Sequence, residues 1–278
     1  MTDTLNQHIA FIGGGNMGRA IAVGLLKQGY AANQIEIVEP LEQQRARLKQ
    51  EYGFSCHADA HSLTGEPTVV ILAVKPQVMR PVLEQLSEVM RPRQQSVLVI
   101  SIAAGVTTVQ INRWLDGNYR IIRVMPNTPA MIGVGASASF GNEVVSASDK
   151  TVADSILSAV GINVWVDREA DIDAVTALSG SGPAYFFLVF EALEAAAVEL
   201  GLSPETARKL TLQTALGAAG LAQQSPEDPA ILRQQVTSPG GTTERALEVL
   251  FAKDLSGTFA AALDAANQRA QELAKESD

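Results

Sequence analysis

The sequence contains few of the residues on which disulfide-stabilised and nucleic-acid-binding proteins depend. Its 278 residues include one cysteine, Cys56, and three histidines. A single cysteine excludes an intrachain disulfide framework and is typical of a reducing compartment. The net charge of −9 argues against a nucleic-acid or acidic-membrane partner. We therefore expect a cytoplasmic protein that acts on a small molecule, without a metal site.

Long uninterrupted hydrophobic runs are also missing. The most apolar window spans residues 183–200, but Glu191, Glu194 and Glu199 interrupt it, which favours a buried helix over a membrane span. The first residues, MTDTLNQH, are polar and do not resemble a signal peptide. Hydrophobic residues still make up 46% of the chain, so its length allows two folded domains with a sizeable core.

The first half alternates β-branched apolar runs with helical patterns. The apolar runs span residues 8–13, 34–40, 68–76, 96–105 and 120–126, and a last edge strand is predicted at 163–167. Such runs, separated by helices, are typical of buried parallel strands that are covered on both faces. The sequence therefore predicts a doubly wound α/β domain of the Rossmann type over residues 1–166.

The second half has a different composition. After Asp167 the β-branched runs stop, and alanine, leucine, glutamate and glutamine dominate. Ser203 followed by Pro204 is typical of a helix start. The last helical pattern, over residues 255–278, should fray into a charged tail. We predict an all-α domain over residues 167–278.

A glycine-rich turn follows the first predicted strand and opens a helix, which is the context that a dinucleotide-binding motif needs. Gly13 permits the tight turn, Gly15 lets a pyrophosphate approach the backbone, and Gly18 lets the helix lie close to the sheet. The helix start adds N–H donors for phosphate. We assign Gly13, Gly15, Asn16, Met17 and Gly18 to cofactor binding. The alternative is a structural turn without a ligand.

Glu39 ends the second predicted strand, where an acidic side chain takes the adenosine ribose hydroxyls of NAD. A carboxylate at this point repels the 2′-phosphate of NADP, although Arg45 and Arg47 follow closely enough to counter it. The alternative is an ordinary exposed strand end.

Small residues and a lysine follow the next two strands at the same predicted sheet edge, where ligands of such sheets bind. The candidate cofactor-binding residues here are Ala73, Val74, Lys75, Pro76 and Ala103. Lys75 is nearly as well explained as a solvated loop lysine. The segment MPNTPA at 125–130 has two prolines that fix a loop around Asn127, and its role could be purely structural.

Six segments together resemble the pyrroline-5-carboxylate reductase family over essentially the whole chain. They read GGGNM, LAVKP, SIAAGV, RVMPNTPA, LSGSGPAYFF and VTSPGGTTERAL, in this order. The last two are the specific ones, since many dehydrogenases share the first. The resemblance implies reduction of 1-pyrroline-5-carboxylate to L-proline, the last step of proline biosynthesis. It also implies NADPH or NADH as cofactor and a helical domain that forms a homodimer, or a higher assembly of dimers, by interlocking with its twin.

In light of the resemblance, two loops rich in glycine, serine and threonine should bind the substrate carboxylate. The segments SPGGTT and SGSGP each precede a helical pattern, so both should offer backbone N–H groups at a helix start. The candidate substrate-binding residues are Ser181, Gly182, Ser238, Gly240, Gly241, Thr242 and Thr243. Thr243 is the candidate catalytic residue, because its hydroxyl can orient the ring nitrogen. The alternative for both loops is helix capping alone.

Three other functions are compatible with parts of the same sequence pattern. Another imine reductase or a β-hydroxyacid dehydrogenase would pair the same two domains, and the latter uses a lysine as its acid. Lys209 and Lys253 are present, but neither lies in the glycine-rich loops. A non-enzymatic NAD(P)H-binding protein is the third alternative. Within the family, members often carry small hydroxyl residues after the second strand, whereas this chain has Glu39 and Pro40, which favours NADH.

Overall fold

The computed structural model describes residues 7–276, and in them eight strands form one sheet. The strands are β1 (Ile9–Ile12), β2 (Ile35–Val38), β3 (Ser55–His57), β4 (Val69–Leu72), β5 (Leu98–Ser101), β6 (Arg120–Met125), β7 (Gly135–Gly141) and β8 (Gly161–Trp165). Their order across the sheet is β3-β2-β1-β4-β5-β6-β7-β8. The helices between them are α1 (Asn16–Lys27), α2 (Glu42–Tyr52), α3 (Pro76–Met90), α4 (Thr108–Trp114) and α5 (Ala147–Leu157).

Hydrophobic cores cover both faces of this sheet. Successive side chains of β1 point to opposite faces, and accordingly Ile9 and Phe11 belong to one core whereas Ala10 and Ile12 belong to the other. All four are buried. Because both faces are covered, the strands read as continuous apolar runs, and the predicted doubly wound Rossmann-type fold is confirmed.

Two strands are missing from the sequence prediction, and one of them alters the topology. β7 has the sequence GASASFG and pairs antiparallel with β6, whereas the other strand pairs of the described residues are parallel. Its glycine, alanine and serine residues do not form an apolar run, so the pattern gave no signal. β3 is three residues long and only partly buried. β8 is the edge strand that the sequence predicts.

The elements that follow Trp165 in the described residues are helical. They are α6 (Asp171–Val175), a π-turn (Thr176–Gly180), α7 (Gly182–Glu199), α8 (Pro204–Gln224), α9 (Pro229–Gln235), α10 (Thr242–Ala252) and α11 (Leu255–Glu276). Contacts between residues divide the chain into two compact units. The first unit consists of Met1–Ser181 together with Ala266–Asp278, and the second unit is Gly182–Ala265. These units divide the chain after Ser181, whereas the predicted domain limit at 166/167 lies between β8 and α6, and that limit stays a prediction.

The end of α11 is not the frayed tail that the sequence predicts. The helix continues to Glu276, and Ala270 is buried. Gln110 in α4 donates a hydrogen bond from its Nε2 to the Ala274 carbonyl oxygen, at 3.3 Å. These contacts place the last turns of α11 within the first unit.

α7 carries large apolar side chains in its first half and is largely exposed in a single chain. Phe186, Phe187 and Leu188 are 64%, 63% and 66% exposed, so a single chain does not bury this helix, and its expected burial stays a prediction that needs a partner. Among the described residues, the continuous stretch Asp171–Glu199 is the one helix that is long and apolar enough to cross a membrane.

Candidate active site

The glycine loop between β1 and α1 has the geometry of a phosphate-binding turn. Gly13 has a φ of 109°, and a side chain there would lie 2.6 Å from the Ala73 carbonyl oxygen. A side chain at Gly18 would lie 2.8 Å from the Gly13 carbonyl oxygen. Around Gly15, by contrast, a Cβ would meet no atom within 4 Å. The loop is therefore closed at Gly13 and Gly18 but open at Gly15, which is the fit that a dinucleotide pyrophosphate requires.

The start of α1 supplies the donors for that phosphate. The helix begins at Asn16, and the residue before it, Gly15, has no side chain with which to cap the first turn. The N–H groups of the first turn of a helix have no partner inside the helix. Together with the helix dipole they favour an anion. The structure thus keeps the candidates Gly15, Asn16 and Met17 together at one helix start.

Glu39 lies directly beside this loop and is buried, with 8% of its surface exposed. Gly14 N–H donates to Glu39 Oε2 at 3.1 Å, and Leu41 N–H donates to Oε1 at 3.0 Å. The alternative of an exposed strand end is therefore wrong. Each carboxylate oxygen retains acceptor capacity, so the group is suited to accept the ribose hydroxyls of a nucleotide.

The two arginines near Glu39 have different environments. Arg45 Nη1 donates to the carbonyl oxygens of Glu39 and Pro40, both at 2.7 Å. Arg47 points elsewhere, because its Nε pairs with Glu51 Oε1 at 2.7 Å. Arg45 is thus the cation that lies at the end of β2, and its Nη1 already serves two backbone oxygens.

The residue after each of β1, β4 and β5 donates a backbone hydrogen bond to the last residue of a neighbouring strand, along the same sheet edge. Gly13 N–H donates to Val38 O, Ala73 N–H donates to Ile12 O, and Ile102 N–H donates to Leu72 O. Ala103 follows and is buried. Parallel strands present their carboxyl ends at one edge, and the structure brings the candidates Gly13, Ala73 and Ala103 to that edge.

Lys75 and Pro76 lie at the start of α3. Lys75 is the residue that precedes the helix, its side chain is exposed, and Pro76 occupies the first position. Proline is well suited to that position, where an N–H would have no helical partner. An exposed ammonium at this position can reach a phosphate, and it fits a solvated loop lysine equally well.

The loop before α10 is a helix start, as the sequence predicts. α10 begins at Thr242, and no side chain caps it from Gly241. Gly241 N–H donates to Ser238 O at 3.0 Å, and Gly240 N–H donates to Glu244 Oε2 at 2.7 Å. The expectation that Gly241 offers its own N–H is therefore wrong, because the turn uses it. The backbone N–H groups of the first turn that can bind a ligand are those from Thr242 onward.

The loop at 178–186 is not a helix start. The chain is already helical from Asp171 and passes through the π-turn into α7. Ser181 N–H donates to the Thr176 carbonyl oxygen at 2.8 Å, five residues back. The predicted set of free donors at Ser181 is thus wrong. Gly–Pro within a helical pattern indicates a helix boundary, but here the wide π-turn accommodates Gly182 and Pro183 without ending the helix.

Sequence reasoning gave Asn127 no role beyond its loop, yet it contacts the π-turn. Asn127 Nδ2 donates to the Ser179 carbonyl oxygen at 3.1 Å, and Asn127 Oδ1 accepts the Ala136 N–H at 2.9 Å. The framing prolines marked the loop, but no local signal pointed to a partner 52 positions away.

The side chains that would support other chemistries are engaged elsewhere or exposed. Lys209 Nζ pairs with Glu205 Oε1 at 2.7 Å on the exposed surface of α8. Lys253 is an exposed residue at the end of α10. His8 Nε2 and His57 Nε2 lie 3.3 Å and 2.6 Å from the two carboxylate oxygens of buried Glu36. In residues 7–276, no group of three or more histidine, cysteine or acidic side chains is arranged to hold a metal ion.

Family models match both halves of the chain. A model described as pyrroline-5-carboxylate reductase dimerisation matches residues 169–273. A model described as NADP oxidoreductase, coenzyme F420-dependent, matches residues 8–105.

Relatives match the chain over nearly its whole length. Pyrroline-5-carboxylate reductase of Pseudomonas aeruginosa is 47% identical over 268 residues, covering 96% of this chain and 97% of the relative. The solved pyrroline-5-carboxylate reductase of Coxiella burnetii is 46% identical with a TM-score of 0.92, covering 96% and 98% of the two chains. The pyrroline carboxylate reductase of Plasmodium falciparum, solved with NADP bound, is 29% identical with a TM-score of 0.84, covering 97% and 98%. On these grounds, the chain belongs to the pyrroline-5-carboxylate reductase family.

Proposed function

We propose that this chain reduces 1-pyrroline-5-carboxylate to L-proline with NADH or NADPH. The observation that carries the proposal is the uncapped first turn of α10, which follows the segment VTSPGG. It occurs in a chain that is 47% identical to a named pyrroline-5-carboxylate reductase. A small carboxylate is the ligand that such a turn favours.

The residues around this turn fit the chemistry of an imine. The nicotinamide, when bound, supplies a hydride to the ring carbon of the C=N bond. Hydride addition to a protonated imine yields a neutral amine, so no alkoxide forms and no strong general acid is needed. The N–H groups of Thr242 and Thr243 bind the substrate carboxylate, and the Thr243 hydroxyl orients the ring nitrogen. Positioning of this kind can supply about 7–11 kcal/mol in model reactions.

Glu39 gives the cofactor site its preference. Its buried carboxylate lies beside the glycine loop, where it accepts hydrogen bonds from the ribose hydroxyls of NADH. A 2′-phosphate at about 4 Å from it would be repelled by roughly 1 kcal/mol in water and several times more where screening is poor. Arg45 offsets part of this repulsion. We therefore propose that the chain uses NADH at least as well as an NADPH-preferring relative does.

A second copy of the chain covers the apolar surface of α7. Successive residues of a helix point about 100° apart, and three successive residues, Phe186, Phe187 and Leu188, are all more than half exposed. A flat contact would cover only one side of such a helix, so the partner must enclose it. We propose a homodimer with interlocked helical domains, or a higher assembly of dimers.

A single cysteine fits a cytoplasmic enzyme.

Initial rates test this function directly. The purified chain is supplied with 1-pyrroline-5-carboxylate and either NADH or NADPH, and proline is identified as the product. A panel of β-hydroxyacids with NAD⁺ or NADP⁺ serves as the control for the alternative enzyme. Turnover on the hydroxyacids alone would replace the proposal, and cofactor binding without turnover on either substrate would favour the non-enzymatic alternative.

A further inference from the structure

Pro183 creates a defect in the continuous helix that runs from Asp171 to Glu199. In an α-helix, the carbonyl oxygen of residue 179 accepts a hydrogen bond from the N–H of residue 183. Proline has no N–H, and its ring also crowds the carbonyl four residues before it. The helix widens into the π-turn Thr176–Gly180 just ahead of this proline. Turns of this type are frequent at functional sites.

Asn127 donates a hydrogen bond to the Ser179 carbonyl oxygen, to which Pro183 has no N–H to donate. Its Nδ2 donates to Ser179 O at 3.1 Å, and its Oδ1 is held by the Ala136 N–H at 2.9 Å. The side chain is buried, so no bulk water replaces it. Both its donor and its acceptor function are used, which fixes the amide orientation.

The turn is also held from the side of β6. A side chain at Gly180 would lie 2.5 Å from Met125 Cε, so the turn approaches the end of that strand closely. Thr176 Oγ1 and Ser179 Oγ donate to the carbonyl oxygens of Ile172 and Val175, so their side chains stay within the helix. Asn127 is therefore the side chain that ties the Ser179 carbonyl to the sheet.

We infer that Asn127 is a positioning residue for the substrate-binding segment at Ser181 and Gly182. It replaces the hydrogen bond that Pro183 removes, and so it holds the π-turn at the end of which Ser181 lies. This inference rests on the proposed function and extends it: Ser181 and Gly182, which the family resemblance assigns to substrate binding, are taken to contact the substrate, without the Ser181 N–H that Thr176 O already accepts. Asn127 itself touches neither substrate nor cofactor in this account.

The test variant is Asn127→Asp, which keeps the oxygen for Ala136 N–H and places a second oxygen against Ser179 O. Its matched control is Asn142→Asp. Asn142 makes the same pair of contacts elsewhere in the first unit, accepting Ile121 N–H at 3.2 Å and donating to Tyr119 O at 2.9 Å. A loss of folding stability alone would affect both variants, whereas a loss of positioning would affect only the first.

The kinetic result expected for Asn127→Asp is a rise of about tenfold in KM for 1-pyrroline-5-carboxylate, since small displacements of a binding group cost this order or more. KM for NADH should stay within about twofold of wild type, because the glycine loop is untouched. Asn142→Asp should leave both values unchanged. An unchanged substrate KM in Asn127→Asp, or an equal rise in the control, would overturn the inference.

A double-mutant cycle with Pro183→Ala separates this inference from the proposed function. Alanine restores an N–H at position 183, so the effect of Asn127→Asp on the urea midpoint and on substrate KM should be smaller in that background. Additive effects would overturn the role assigned to Ser179. The urea midpoint is measurable even if the wild type does not reduce 1-pyrroline-5-carboxylate. Absence of that turnover would contradict the proposed function but not the role of Asn127. Where Asn127→Asp does not fold, Asn127→Ala must show the same coupling.

Discussion

At the scale of single residues, Thr243 carries the most specific chemical claim. Its hydroxyl is proposed to orient the ring nitrogen, whereas neighbouring Thr242 contributes only its backbone N–H. Thr243→Val removes the hydroxyl at nearly constant shape, and we expect kcat to fall by about 10²-fold or more, as for the loss of one positioned catalytic donor. The matched control is Thr242→Val, whose side chain is exposed.

Rates and unfolding curves of the two threonine variants decide the matter together. Both proteins should unfold at nearly the same urea concentration, and both should retain NADH binding. If Thr243→Val turns over 1-pyrroline-5-carboxylate as fast as Thr242→Val, the loop acts through its backbone alone.

Glu39 carries the claim on cofactor choice. Glu39→Gln removes the charge but keeps the shape beside Gly14 and Leu41. Relief of about 1.4 kcal/mol of repulsion should shift the ratio of kcat/KM values toward NADPH by about tenfold. The control is Glu42→Gln, an equal charge change in the exposed first turn of α2. A wild type that strongly prefers NADPH, with a ratio that Glu39→Gln leaves unchanged, would mean that Arg45 dominates the site.

At the scale of elements, the sequence predicts structure well where the signal is local. The turn from β1 into α1 and the start of α10 follow from glycines and hydroxyl residues within a few positions. The π-turn could not be predicted in this way. Locally, Gly182 and Pro183 indicate a helix boundary, and the side chain that donates to the Ser179 carbonyl is Asn127, 52 positions away.

The same contrast explains the strands and the candidate site. β7 was missed because it is stabilised by its pairing with β6 and β8 rather than by apolar side chains of its own. The position of Glu39 was predictable because strand ends define it. The use of Gly241 N–H by Ser238 was not, because a tight turn that closes on itself looks like an open one in sequence.

Glu36 links three elements and gives the fold a pH dependence. Burial by itself raises the pKa of this carboxyl, but hydrogen bonds from the Thr64 and Gly65 N–H groups and the charge of His57 outweigh it, so the pKa lies below its usual value. A lowered folded-state pKa stabilises the fold above the pKa of the unfolded state, and this stabilisation is lost as pH falls through the folded value.

The prediction for Glu36→Gln follows from that sign. The variant should lose about 1–3 kcal/mol of unfolding free energy at pH 7, since a buried acceptor of charge-assisted hydrogen bonds is weakened. The difference from wild type should shrink as pH falls below the pKa of a free carboxyl, about 4.3, and through the lower folded-state pKa of Glu36, where the wild-type carboxyl also becomes neutral. Urea unfolding across this range measures it, with exposed Glu88→Gln as the control. A difference that does not shrink once the pH lies below the pKa of a free carboxyl would contradict the assignment.

At the scale of the whole molecule, the exposed surface of α7 predicts an obligate dimer. Phe187→Asp places a charge on that surface and should yield monomers with little activity, because buried unpaired charge is costly. Val109→Asp is the control, since Val109 is an equally exposed apolar residue on α4 of the first unit. Sedimentation at micromolar concentration compares them. A monomeric wild type, or a dimeric and active Phe187→Asp, would rule out enclosure of α7 by a partner.

The most direct test of the proposed function is the reaction catalysed by the wild-type chain. Initial rates of NADH and NADPH oxidation are measured with 1-pyrroline-5-carboxylate, and proline formation is quantified in the same samples. We expect one proline formed per cofactor oxidised, with NADH used at least as well as a typical NADPH-preferring relative uses it. Cofactor oxidation without proline, or no oxidation at all by a protein that binds NADH, would contradict it.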